Sequence, residues 1–376
     1  MNERDRAEFT EFAVGRSGTR SASRARRASM APISMIGAPV RGTARLVTSI
    51  ALAAGIATLA SACGTSAQAP RRNTSHAATS ARVLPSPFKI VARYSANSLG
   101  LNNPDALAIG SDGNLYVTDM SQRVSVISPS GRVLRRWGQP GSGPGDFKFI
   151  AWTPSTPTDI HGKIAIGPRG DVYVSDSGNY RVQVFTPQGR FIRQFGRHGS
   201  GKGRFLSPFD LVVDKAGNVY VVDLEATTLT KFSPAGKVIW QLGGPSASSQ
   251  QLAGSLHVAT IDPHGRLVIV NDALPAVLYL DPSGHVVDSF SPATSYFPGA
   301  AVCEASVDAE GNTFVTGCAG FPTTGPTLVY NATHKLIAEW PGTLFSLRRS
   351  PVFGPHGEVF ALATTGSILK DLSEIQ

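Results

Sequence analysis

Ser207 to Gly243 reads SPFDLVVDKAGNVYVVDLEATTLTKFSPAGKVIWQLG, four apolar runs parted by turn signals. Val, Ile, Tyr, Phe and Trp dominate the runs, and these residues suit a pleated, half-buried surface better than a helix. Lys215-Ala216-Gly217-Asn218 and Ser233-Pro234-Ala235-Gly236 supply the turns between them. The first of these glycines has counterparts along the chain, Gly113, Gly170, Gly217, Gly265, Gly311 and Gly357, at intervals of 57, 47, 48, 46 and 46 residues. A period in the forties with four short strands per repeat marks a β-propeller. The expected fold is all-β, with six blades whose first strands line a central channel and whose fourth strands face outward.

Closure follows from what is left over at the two ends of the repeats. Gly366 to Leu372 fits the third strand of blade six, with no fourth strand after it. Before the first repeat stands an orphan strand, Phe88-Lys89-Ile90-Val91-Ala92-Arg93-Tyr94, resembling fourth-strand runs such as Arg132 to Trp137. The N-terminal strand is therefore expected to complete the last blade and remove its open edge. The propeller is assigned to residues 88–376, after a leader at 1–63 and a Ser/Thr/Ala/Pro-rich linker at 64–87 that reads as a flexible tether.

The charge of +9 has to be divided before it means anything. Residues 1–63 carry +5, residues 64–87 carry +3, and residues 88–376 hold 23 basic and 22 acidic side chains. The basic balance thus belongs mostly to leader and linker, and nucleic acid is not an expected partner. Within the propeller, residues 120–205 carry 13 basic and 4 acidic side chains, whereas residues 257–340 carry 2 and 8. Such opposite fields could orient the domain at an anionic surface or bind an acidic polymer.

Leu46 to Ala60 is an uncharged run of 15 residues, preceded by Arg41 and Arg45 and followed by Ser61-Ala62-Cys63. A basic region, a short apolar region and small residues describe a secretory signal peptide; a spanning helix would need about 20 apolar residues. Translation starting at Met30 or Met35 would give a leader of ordinary length. Leu59-Ala60-Ser61-Ala62-Cys63 resembles the lipobox of bacterial lipoproteins, with its leucine one residue further from the cysteine than usual. That resemblance implies lipidation of Cys63 and an anchor on the outer face of the cell membrane; ordinary cleavage near Ala62 or Ala69 is the alternative.

Two further cysteines flank the turn of repeat five. If Glu310-Gly311 centres that hairpin, paired residue numbers sum to 621, as Cys303 and Cys318 do, and the two would bridge across adjacent strands. A slip of one residue would leave two free thiols on opposite faces.

Repeat two contains Tyr173-Val174-Ser175-Asp176-Ser177-Gly178-Asn179-Tyr180-Arg181-Val182 and the connector Phe195-Gly196 to Gly203-Arg204-Phe205. Both resemble the NHL repeat family, whose six-bladed propellers include enzymes, sensors and binding scaffolds, so the resemblance speaks for the fold more than for an activity.

Counting from each turn glycine locates the residues expected around the channel mouth. Eight before it lie Asp105, Gly162, Phe209, His257, Cys303 and Arg349; seven before lie Ala106, Lys163, Asp210, Val258, Glu304 and Ser350. Six after it lie Asp119, Asp176, Asp223, Asn271, Gly317 and Ala363. Asp119, Asp176 and Asp223 could form an acidic ring for Ca²⁺, or could cap turns and pair with Arg123 and Arg181 of their own blades. His257, Glu304, Asp210 and Asn271 are the candidates for a metal such as Ca²⁺ or Zn²⁺, although no cofactor is firmly indicated. The first interval carries an excess at Asp146 to Thr158, where Trp152 with Phe147 and Phe149 could form a lid, or could pack on blades one and two.

These readings favour a monomeric, lipid-anchored binding or sensing module outside the cytoplasm. Trp152, Asp176, Arg181, His257 and Glu304 would contact an envelope protein, a peptide or an anionic glycan. The alternative is a metal-dependent lyase or lactone hydrolase in which His257 and Glu304 act at the channel.

Overall fold

The structure is a computed structural model describing residues 88–149, 162–244, 252, 256–271, 276–292, 302–317, 327–340, 351–354, 357–363 and 368–373. Cys63, Trp152 and Cys318 lie outside these residues, and His257 and Cys303 are located as strand positions.

Among the described residues, twenty-four strands form six four-stranded antiparallel sheets. Blade one is β2 (Pro104–Ile109), β3 (Leu115–Asp119), β4 (Arg123–Ile127) and β5 (Val133–Trp137). Blade two is β6 (Ile164–Ile166), β7 (Val172–Asp176), β8 (Arg181–Phe185) and β9 (Phe191–Phe195). Blade three is β10 (Pro208–Val213), β11 (Val219–Asp223), β12 (Thr228–Phe232) and β13 (Val238–Gly243). Blades four and five follow as β14 (Leu256–Ile261) to β17 (Val286–Phe290) and β18 (Val302–Val307) to β21 (Leu336–Trp340). Blade six is β22 (Val352–Phe353), β23 (Glu358–Leu362) and β24 (Ile368–Ser373), completed on its outer edge by β1 (Phe88–Tyr94). The orphan N-terminal strand closes the ring as expected, pairing Tyr94 with Ile368 and Phe88 with Ser373.

Every residue of β3, β7 and β11 is buried, which explains why these strands open on three consecutive apolar residues rather than alternating. Each lies in the middle of a sheet covered on both faces by neighbouring blades. The outer strand β9 alternates instead, as a strand with one wet face must. At the inner turn all six repeat glycines adopt φ between +74° and +84°, where a side chain is strained. The recurrence of that glycine is a backbone requirement repeated once per blade.

The outer turn, between the third and fourth strands, packs each of these blades against the one before it. Gly189 has φ +88°, and a Cβ there would lie 2.6 Å from the Trp137 ring of blade one. Gly131 lies tighter still against Tyr94, and a Cβ at Gly236 would lie 2.9 Å from Phe195. The proline two residues earlier offers its carbonyl to the preceding blade: Pro129 accepts from the Tyr94 hydroxyl (2.9 Å), Pro187 from Arg135 (2.9 Å) and Pro282 from Lys231 (2.8 Å). In blade five the pattern changes. His334 (φ +59°) takes the glycine's place and stacks on Phe290 of blade four, ring centroids 4.5 Å apart.

Asp176 and Arg181 form a clasp over the first connector. Arg181 Nε donates to Asp176 Oδ2 (2.7 Å), and its Nη2 donates to the carbonyls of Gly143 (2.8 Å) and Asp146 (2.9 Å). Asp176 also accepts from the Lys148 amide (2.7 Å) and from Asn179 and Gln183. Beneath this clasp Phe147 and Phe149 are wholly buried, ring centroids 4.7 Å apart, with Phe147 packed on Phe185. They pack on blades one and two and are not exposed lid residues; burying two rings outweighs presenting them to solvent.

The hairpin of blade five departs from expectation in register. Glu304 pairs with Thr316 and Val302 with Gly317, with an irregularity between, so residue numbers sum to 620 and then 619 rather than 621. Cys303 falls inside this bulge, where the extra residue of one strand has no counterpart opposite it.

Two predictions follow from these contacts. Gly265 has φ +80° with nothing within 4 Å of an added Cβ, so Gly265→Ala should cost only strain, about 1–2 kcal/mol. Gly189→Ala adds the Trp137 clash and should cost roughly 2–4 kcal/mol in urea unfolding followed by tryptophan fluorescence; equal losses in the two variants would refute the ring contact. Arg181→Met strands the buried Asp176 carboxylate and should lower stability by about 3–5 kcal/mol in the same assay.

Candidate functional site: the channel mouth

The first strands of successive blades touch one another from β2 through β6, β10 and β14 to β18, and β22 touches β2. They enclose a central cavity of about 280 Å³. Its lining is about equally polar and apolar, with Ala106, Ile164, Leu211 and Val307 among the apolar residues and Lys163, Asp210, Glu304 and Ser306 among the polar ones.

Bulges shape the mouth. The ladder between first and second strands is irregular between Pro104 and Ala106, between Pro208 and Asp210, and between Val302 and Glu304. A bulge bends its strand and re-aims the next side chain. In blades one, three and five the residue after the bulge, Ala106, Asp210 or Glu304, lines the channel. In blade four the irregularity falls later, between Val258 and Thr260, and His257 pairs regularly with Val270. His257 is thus held in a different register from Glu304 on the neighbouring first strand.

At the mouth Lys163 of blade two meets Glu304 of blade five, Nζ to Oε1 3.1 Å, and Asp210 of blade three, Nζ to Oδ2 3.4 Å. Blades two and five are opposite in a ring of six, so the Lys163–Glu304 pair is a bar across the channel. The three side chains are only 9–13% exposed. Ser175 fixes the main chain of Lys163, its Oγ accepting from the Lys163 amide (2.9 Å) while its own amide donates to the Lys163 carbonyl (2.9 Å). Asp210 Oδ1 accepts from the Leu211 amide (2.8 Å), and the Phe209 ring centroid lies 5.6 Å from the ammonium. Two carboxylates around one ammonium keep each buried charge partnered, the condition under which such groups tolerate an apolar site.

The structure brings Asp210 and Glu304 together through Lys163, which counting had placed in the ring without a role. Lys163 and Glu304 are 141 residues apart, and no local pattern links them. Asn271 is buried at the end of β15 (Leu267–Asn271). Asp176 and Arg181 belong to the connector clasp and are not among the residues lining the channel.

The other two aspartates of the acidic series also act as caps. Asp119 accepts from the amides of Asn102 (3.2 Å) and Ser121 (2.9 Å) and pairs with Arg123 (3.4 Å). Asp223 accepts from the amides of Leu206, Ser207 and Ala226, and burial raises its carboxyl pKa against the pull of those donors. Among the described residues no three His, Cys, Asp or Glu side chains stand together as metal ligands. Asp210 and Glu304, the described acidic pair offered to a metal by sequence, share an ammonium instead.

A family model described as a 6-bladed beta-propeller matches residues 159–239. Human NHL repeat-containing protein 3 is 25% identical over 54% of this chain and 54% of its own length. Peptidyl-glycine alpha-amidating monooxygenase A of Xenopus laevis is 29% identical over 57% of this chain, and the Drosophila melanogaster protein brain tumor is 28% identical over 34%. The matched segments span 23% and 12% of those two longer proteins. A streptogramin B lyase structure superposes with TM-score 0.51 at 13% identity, over 76% of this chain and 98% of that one. That likeness is one of fold. Glycine turns, four-stranded blades and these relatives agree: the described residues form a six-bladed β-propeller, similar in sequence to NHL repeat proteins.

Proposed function

We propose that the protein is an exported, lipid-anchored binding module whose connector face engages a partner in the cell envelope. The observation that carries this reading is where charge is exposed and where it is consumed. The acidic groups at strand ends are engaged inside the fold: Asp119 with Arg123, Asp176 with Arg181, and Asp210 and Glu304 with Lys163. Lys148, Arg197, Lys202 and Arg204 are exposed on the two connectors that join blades one, two and three. These connectors run from an outer strand to the next inner strand and lie on the face where the channel mouth opens. A fixed basic patch on one side of the mouth suits an anionic partner: an acidic face of an envelope protein, an acidic peptide or an anionic glycan. The lipobox-like Leu59 to Cys63 and the tether at 64–87 support presentation of this face at the membrane surface.

A metal-dependent lyase or lactone hydrolase using His257 and Glu304, with Asp210 and Asn271 nearby, is the second reading. Sequence similarity to the amidating monooxygenases favours it; the ammonium of Lys163 between the two described carboxylates weighs against it.

Cys63→Ser should move the protein from the membrane to the soluble fraction and remove a lipid-sized mass from its N-terminal peptide; unchanged membrane retention would refute the anchor. Lys202→Glu with Arg204→Glu should weaken capture of the envelope partner by photo-crosslinking at least tenfold, and raised salt should mimic the change. Capture insensitive to both salt and charge reversal would refute the basic patch. Under the enzymatic reading, alanine at His257 and Glu304 would abolish turnover and leave that capture intact.

A further inference from the structure

The fourth strands of all six blades share a feature that neither the channel nor the connectors use. In each, the ladder to the third strand skips one residue near its start, and the skipped residue is aliphatic: Val91, Leu134, Ile192, Ile239, Val287 and Ile337. A bulged residue has no counterpart opposite it and turns away from the ladder. Val91, Ile192, Ile239 and Val287 are 38–53% exposed, although burial would stabilise each of them. One exposed aliphatic is ordinary; the same bulge with the same kind of residue in every blade is not.

Two places before each bulge stands a basic residue: Lys89, Arg132, Arg190, Lys237, His285 and Lys335. Blades one to five have a turn there, and its geometry repeats, the carbonyl of the basic residue accepting from the amide four positions earlier. Arg132, Arg190, Lys237 and Lys335 are exposed, and their side chains form no ion pair among the described residues. Exposure alternates from Arg190 to Ile192, from Lys237 to Ile239 and from His285 to Val287, so basic and aliphatic side chains share the outward side of their strands.

Equivalent positions on six blades of one ring lie in one plane around the ring axis. Antiparallel order puts the turns between third and fourth strands at the end of each blade away from the connectors, so this girdle rims the face opposite the channel mouth. Asp112, Asp214, Asp281 and Asp308 of that face are folded back on their own hairpins, where each accepts a main-chain amide. Glu310 extends from the inner turn of blade five, inside the girdle.

A globular protein or a peptide covers one sector of such a disc, whereas a flat anionic layer meets every sector at once. Bulges also twist the outer edges away from strand addition, which disfavours an extended peptide there. A soluble polyanion answers the basic residues and leaves the aliphatics in water; a bilayer offers headgroups to the first and the acyl boundary to the second. The chain path agrees. Residues 64–87 lead into the propeller at Phe88, the start of β1, so the tether joins the ring within the girdle.

We propose that this girdle seats the propeller flat on a bilayer containing anionic lipid, with the channel mouth and connector face turned away from the membrane. This rests on the anchored reading for bringing the membrane near and adds the orientation, which leaves the connector face open to its partner.

The test is hydrogen exchange of the full-length protein on vesicles of phosphatidylcholine, alone or with about one-third phosphatidylglycerol. The apolar leader meets both vesicles alike, so a difference between them reports the girdle. Peptides covering 186–193, 233–240 and 281–288 should exchange about tenfold more slowly on the anionic vesicles, with 196–205 unchanged. Arg132→Ser, Arg190→Ser, Lys237→Ser and Lys335→Ser combined should remove that protection, and so should Ile192→Ser, Ile239→Ser and Val287→Ser combined. Soluble polyglutamate should protect the same peptides far less than the vesicles do. Because the vesicle and polyglutamate series are read on the wild-type protein, they decide the matter even if a variant fails to fold. Equal exchange on the two vesicles, protection of 196–205 instead, or polyglutamate acting as strongly as anionic vesicles overturns the proposal. The anchor is read separately, by the fractionation of Cys63→Ser: its failure leaves girdle protection to be seen on added vesicles, and failure of the girdle leaves the anchored module standing.

Discussion

A sheet that is apolar on both faces cannot be stable alone, and the rest of this structure answers to that constraint. In blades one, two and three the second and third strands are buried along nearly their whole length, so such a blade needs a neighbour on its left and on its right. A row of such sheets has two unsatisfied ends unless it closes. Closure is achieved by β1, which pairs with β24 and carries Tyr94 into the seam with blade one, where its hydroxyl meets the Pro129 carbonyl (2.9 Å). The ring, the channel and the convergence of inner strands on that channel all follow from covering those faces.

The seams show how one solution is reused and where it is varied. From blade six through blade three, a turn glycine or its proline receives an aromatic ring or a donor from the preceding blade. Close approach and positive φ together leave little freedom in residue choice, which keeps the motif readable. At the seam between blades four and five His334 stacks on Phe290 and Tyr279 and reaches toward Asp288 (3.5 Å). An imidazole there adds stacking area that glycine cannot, at the cost of a left-handed backbone on a residue with a side chain.

Legibility followed the range over which each feature is encoded. The inner turns were readable because a glycine with φ near +80° is demanded within one hairpin. The pairing of Asp176 with Arg181 was readable as one option, since both lie within a single strand-turn-strand unit. The burial of Phe147 and Phe149 was not: an aromatic pair in a long connector looks alike whether it packs on the blades or projects from them. The pairing of Cys303 with Cys318 rested on paired numbers summing to 621, whereas the strands run at 620 from the turn to Glu304 and at 619 beyond the bulge, and such offsets leave little trace in local composition.

Sequence alone determined the number of blades, the strand that closes them and the residues crowded at the channel mouth, because turn chemistry and periodicity are set by neighbours a few positions apart. Tertiary structure decided which of those crowded residues meet. Lys163 finds Glu304 across 141 residues only because six blades close into a ring and bulges aim the inner side chains at one another. Contacts across a ring depend on every preceding register, and a difference of one residue in any of them changes the partner.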